Sequence, residues 1–196
     1  MKTLRKLFVL APVMIMSLTA CEAKIDQAKA AERAKDYNTA EVSTQYKSFD
    51  QKSECKVNKN TGVFADGGLL SSVVTILKEG LNSEEKGLDP AEGVYTAAKF
   101  AEVVSQASIE GAKAEISYYA YKSTGLKIVS SAKMESNSNG NKTSGSAKTE
   151  MYVLDDGRVE KAGGAVKMNV SGETAGVKLN GVLDLSFTVT YTWHKA

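Results

Sequence analysis

Histidine and tryptophan each occur once in this chain, and proline and cysteine twice each. Each scarcity removes a class of chemistry. The single histidine is His194, so the chain cannot assemble a Cys/His zinc set or an HExxH helix, and a nucleophile would have that residue as its only imidazole base. Two cysteines cannot build a disulfide framework. No apolar run reaches the roughly 20 residues that a transmembrane helix needs. No GxSxG, P-loop or dinucleotide loop stands between a strand and a helix. Positive charge is not in excess: 25 Lys and Arg face 23 Asp and Glu. Lys2, Arg5 and Lys6 crowd the N-terminus, and without these three cations the formal +2 falls to about −1. Nucleic-acid binding needs clustered basic excess, so no such partner is expected.

The chain opens "MKTLRKLFVLAPVMIMSLTAC". A basic start, an apolar run over residues 7–18 and small residues before Cys21 are the marks of an export signal. Leu18-Thr19-Ala20-Cys21 resembles the lipobox of bacterial lipoproteins. That resemblance implies a thioether-linked diacylglycerol on Cys21, cleavage before it, and an acylated (palmitate-type) first mature residue. Two or three acyl chains hold a protein firmly where one does so only marginally. The expected partner is therefore a lipid bilayer, engaged through acylated Cys21. Glu22 replaces the aspartate that the family associates with inner-membrane retention, which points to the outer membrane in a two-membrane host. Cys55 is then left without an intrachain partner.

Residues 1–20 form the expected signal peptide, 21–41 a lipid-anchored helical or tether segment, and 42–196 a single α+β domain. About 175 mature residues suit one core. Segment 22–41 is rich in Ala, Lys, Glu and Gln, which favours helix. No second copy occurs at a repeat period, so a solenoid is excluded. Residues 42–59 are polar and ambiguous. Leu69, Val73, Ile76 and Leu77 share a face of a short helix ending near Gly80, with a strand as the alternative. Asp89 as cap, Pro90 at the first position and Glu92 open a helix expected to run to about Ala107.

From Ala112 onward the apolar period becomes two, as in a strand. Roughly six antiparallel strands joined by short turns are expected in the C-terminal half, packed by the N-terminal helices. Residues 137–146, "NSNGNKTSGS", read as a solvated loop. Asp155-Asp156-Gly157 reads as a hairpin turn, and Gly163-Gly164 as a bulge or bend.

No catalytic residue, metal site or cofactor emerges, and the chain is not expected to be an enzyme. Asp155 and Asp156 lack the remaining ligands of a calcium loop. Glu150 and Glu160 flank the hairpin as a candidate carboxylate pair. Tyr118, Tyr119, Tyr121, Tyr191 and Trp193 are either strand-populating core aromatics or a stacking platform. Leu183, Leu185, Phe187, Val189 and Tyr191 line one face of the closing strand, and that face must be covered by protein or by a ligand. The expected function is a membrane-anchored envelope lipoprotein with a noncatalytic binding or structural role. The alternative is a lipid or lipoprotein carrier with an apolar groove on the sheet. Helices followed by antiparallel strands is the element order of half-barrel carriers in bacterial envelopes, a resemblance of order alone.

Overall fold

The computed structural model describes residues 23–106, 113–138, 140–174 and 176–196. The lipobox and the expected helix end at Ala107 lie outside the described residues. The chain runs β1 (Lys24–Ile25), α1 (Gln27–Asp36), α2 (Thr39–Gln45), β2 (Tyr46–Gly62), α3 (Ser71–Leu81), β3 (Ser83–Leu88). A 3-10 turn (Pro90–Gly93) and α4 (Ala97–Gln106) follow, then β4 (Lys113–Tyr121), β5 (Gly125–Ser138), β6 (Asn141–Val153) and β7 (Val159–Ser171). A small hairpin of β8 (Glu173–Thr174) and β9 (Val177–Lys178) leads into β10 (Gly181–Lys195).

Eight strands form one antiparallel sheet in the order β1-β4-β5-β6-β7-β10-β2-β3. The fold is thus α+β, with the helices gathered on one face of the sheet. That face is called inner and the other outer. The expectation of roughly six C-terminal strands needs correction, because β1, β2 and β3 come from the N-terminal half. β2 pairs along the whole of β10, from Gly62 opposite Gly181 to Tyr46 opposite Lys195. Its partner lies far off in sequence, so nothing local marks it as a strand.

The alternation of β10 orders the inner face. Phe187 sits between Gly164 of β7 and Cys55 of β2, and Leu185 between Val166 and Val57. Two groups of helices cover this face. At one end Ala30 and Ala34, four residues apart on α1, are fully buried against Tyr118, Leu126, Ile128 and Val153. Their small size lets the helix lie close to the sheet. Asp26 caps α1 by accepting from Lys29 N at 2.8 Å, and Asn38 caps α2 by accepting from Ala40 N at 3.0 Å. Of the two readings of segment 22–41, residues 27–36 follow the helical one. At the other end α3 buries Val74 and Leu81, with Leu70 and Leu77 packed beside Leu183 and Leu185, which corrects the expected face of Leu69, Val73, Ile76 and Leu77: Leu69 and Ile76 turn to solvent.

Two further expectations change. The segment read as a loop at 137–146 is mostly strand: β5 runs to Ser138 and β6 starts at Asn141. Ladder pairing holds these polar ends, for instance Asn137 opposite Lys142. β7 runs without interruption through Gly163 and Gly164, and the irregularity falls instead between Tyr152 and Val153 of β6 where they face β7. The helix begun at Asp89 is also broken. Asp89 accepts from Ala91 N at 2.9 Å as expected, but Val94 then bridges Arg158 and Tyr95 N donates to Gly157 O at 2.8 Å. Helix resumes only at Ala97.

Candidate functional site

The apolar face of β10 is covered by protein. Leu183 and Leu185 are fully buried under Phe64, Val63 and Val74. Phe187 and Val189 are buried against Leu81, with Tyr191 packed beside them. Burial pushes the Tyr191 phenol up to about 12. Trp193 continues the face, stacks on Phe49 at 4.8 Å and donates from Nε1 to Val159 O at 3.0 Å. Arg158 lies over Tyr46 and Trp193, 4.1 and 5.3 Å from the ring centroids. Tyr118 belongs to the same buried interior, stacked on Phe100 at 5.3 Å.

A concavity of about 390 Å³ lies on the outer face, lined by Asp50, Lys52, Glu54, Glu84, Lys86, Thr190 and Thr192. Asp50 accepts from Gly87 N at 3.0 Å and pairs with His194 Nε2 at 3.1 Å, and both contacts hold its carboxyl below the usual range. Lys86 pairs with Glu84 at 3.0 Å. Three carboxylates here face two lysines, and the lining holds no cysteine or serine.

Cys55 faces inward and is partly buried. Burial pushes its thiol up, with Lys78 opposing incompletely. Such a thiol is a poor nucleophile at neutral pH. Among the described residues no group of three or more His, Cys, Asp or Glu is placed to hold a metal ion. No described helix is long and apolar enough to cross a membrane.

The outer face of β4–β7 carries a cluster that sequence reading only partly identified. Strand parity separates the expected aromatic set, with Tyr118, Tyr191 and Trp193 inward and Tyr119 and Tyr121 outward. Tyr152, absent from that set, joins the outward pair, its ring meeting that of Tyr121 at 5.0 Å edge-on. Lys127 lies over both Tyr119 and Tyr152, at 5.9 and 5.1 Å, and Lys161 over Tyr152 at 4.4 Å. Lys122 lies 5.2 Å from the Tyr121 ring centroid. The register Lys127 opposite Tyr152 opposite Lys161 builds this stripe. Alternation alone reveals Tyr119 with Tyr121, but joining Tyr152 to them requires knowing that register.

Glu150 and Glu160 both belong to this cluster. Glu150 accepts from Tyr152 Oη at 2.9 Å and pairs with Lys148 at 3.2 Å and Lys127 at 3.4 Å. Burial works to raise its carboxyl, but these partners outweigh burial and hold it below the usual range. Glu160 accepts from Tyr121 Oη and pairs with Lys122 at 2.9 Å, and here too the partners outweigh burial. Two carboxylates both held ionised do not divide into an acid and a base. The cluster is suited to binding, through aromatic faces and ammonium groups.

The molecule is thus an α+β protein with an open antiparallel sheet, helices on one face and an aromatic-lysine cluster on the other. No protein-family model, curated protein or solved structure matches the chain.

Proposed function

We propose that this chain is a lipid-anchored protein of the bacterial cell envelope, on the outer membrane in a two-membrane host, with a noncatalytic binding or structural role. The lipobox-like Leu18-Thr19-Ala20-Cys21 after a basic and apolar start carries this reading. Ala23 O already accepts from Ala120 N at 2.9 Å, two residues beyond Cys21. Mass spectrometry of the mature N-terminus from native membranes tests the reading. Diacylglycerol on residue 21 is the expected result, and an unmodified Cys21 or a cut elsewhere defeats it. Cys21→Ala is expected to move the protein from the membrane to the soluble fraction, because two acyl chains supply the anchoring.

A second reading, a lipid or lipoprotein carrier, is favoured by exposed apolar side chains around the cover of the sheet. Leu69 is 73% exposed, Ile76 on α3 63% and Met134 of β5 52%. An acyl chain reaching Leu183, Leu185 and Phe187 requires α3 to swing away from them. Native mass spectrometry of protein purified from membranes distinguishes the two readings. A lipid held in addition to the one on Cys21 supports carriage, and its absence supports a purely anchored role.

A further inference from the structure

We propose that the outer-face cluster of Tyr119, Tyr121 and Tyr152 with its lysines rests on the anionic headgroups of the bilayer that holds Cys21. The inference depends on the lipid-anchor reading, and its first support is reach. The proposed lipid site is only two residues before Ala23 in sequence, and a chain spans at most about 3.6 Å per residue. Ala23 is itself fixed: its carbonyl holds Ala120 N, and Lys24 pairs opposite Tyr119. β1 is antiparallel to β4, so going back from Lys24 the chain heads along β4 toward Tyr121 and Lys122. A membrane entered at Cys21 therefore meets the protein at the margin of this cluster.

The chemistry of the cluster fits that neighbour. Lys24 shares the outer face with Tyr119 because the two are cross-strand partners. Lys24, Lys122, Lys127, Lys148 and Lys161 stand against Glu115, Glu150 and Glu160 on this part of the outer face. The excess is positive, although the mature chain as a whole is close to neutral. Tyrosine rings with polar tips occupy the headgroup level of membranes, and lysines beside them are drawn to anionic lipid. The outer-face groove lined by Asp50, Glu54 and Glu84 has no such excess. The outer face of β4–β7 around Tyr121 and Tyr152 would thus lie against the lipid, with the Gly181 end of β10 away from it.

The test uses the mature lipidated protein extracted from membranes. It is placed in phosphatidylcholine vesicles with about 30% phosphatidylglycerol, and in phosphatidylcholine alone. Flotation reads anchoring, and an amine-acylating reagent followed by mass spectrometry reads the exposure of each lysine. Lys122, Lys148 and Lys161 are compared with Lys59 and Lys178, which lie near the opposite end of the sheet. The expected result is flotation with both vesicles. Acylation of the three cluster lysines is about threefold slower with phosphatidylglycerol and unchanged at the remote pair. Lys148→Glu combined with Lys161→Glu removes the protection of Lys122 while flotation persists. Floating protein whose cluster lysines are unprotected, or equally protected without phosphatidylglycerol, overturns the docking proposal and leaves the anchor standing. Protein that floats with neither vesicle overturns the anchor reading and the docking proposal with it.

Discussion

Two single positions carry more of the fold than their side chains suggest. A Cβ on Gly93 would come 2.7 Å from the Trp193 indole and 2.9 Å from the Phe49 ring. Gly93→Ala therefore forces the stacked pair apart, and a loss of about 1–3 kcal/mol in denaturant unfolding is expected. The next residues, Val94 and Tyr95, are drawn into bridge and backbone contacts with Arg158 and Gly157, and there the helix start at Asp89-Pro90, legible in the sequence, is broken. Tyr118 presents the opposite case. Its hydroxyl is buried without a hydrogen-bond partner, as is that of Tyr95. A buried unpaired hydroxyl costs stability, whereas the ring packing on Phe100 does not need it. Tyr118→Phe is expected to leave unfolding stability unchanged or raise it by about 1 kcal/mol, measured in the same assay. A clear loss would show that the hydroxyl is held by a partner in solution.

At the scale of elements, α3 and β10 depend on each other. α3 contributes Val74 and Leu81 to a face whose counterpart is Leu183, Leu185 and Phe187. Ser53 Oγ ties the C-terminal end of the helix by donating to Leu81 O at 2.7 Å. Leu185→Ala opens a cavity beneath the helix, with an expected cost of about 2–5 kcal/mol. Amide hydrogen exchange across residues 71–81 is expected to quicken more than exchange in β5 or β6. A uniform change across the chain would mean that α3 is no separate unit. The existence of both elements is legible in the sequence, β10 from strict alternation and α3 from its apolar spacing, but the buried face of α3 is not that of Leu69, Val73, Ile76 and Leu77: Leu69 and Ile76 are exposed, and Val74 and Leu81 turn inward. β2 is not legible, because many of its side chains are polar. Of the alternate positions Phe49, Gln51, Ser53, Cys55 and Val57 that face inward, two are polar, and lysines, serines and asparagines surround them, so its strand state comes from the partner strand.

At the scale of the whole molecule, the outer face ties stability to pH. Glu150 and Glu160 are held ionised by tyrosine hydroxyls and lysines, so their folded values lie below their unfolded ones. The stabilisation they provide is present above the ordinary carboxylate range and is lost as pH falls through the lowered folded values. Thermal midpoints are expected to hold steady from neutral pH to about pH 5 and then to fall toward about pH 3. Glu150→Gln with Glu160→Gln is expected to lower the neutral plateau and flatten the fall. An unchanged acid limb would place the sensitive groups elsewhere. These two residues also show where sequence reading reaches its limit. Their place on either side of a tight turn was visible from Asp155-Asp156-Gly157. That each would sit among lysines and a tyrosine was decided by the register of four strands. The sequence by itself determined the lipobox-like start, the change of apolar period near residue 112, the inward face of β10 and the scarcity of catalytic residue types, because each is written in neighbouring residues. The tertiary structure alone decided that β2 joins β10, that α3 covers Leu183 and Leu185, and that Tyr152 stands beside Tyr121. Each of those depends on contacts between distant segments, which pairing and packing select and local spacing does not encode.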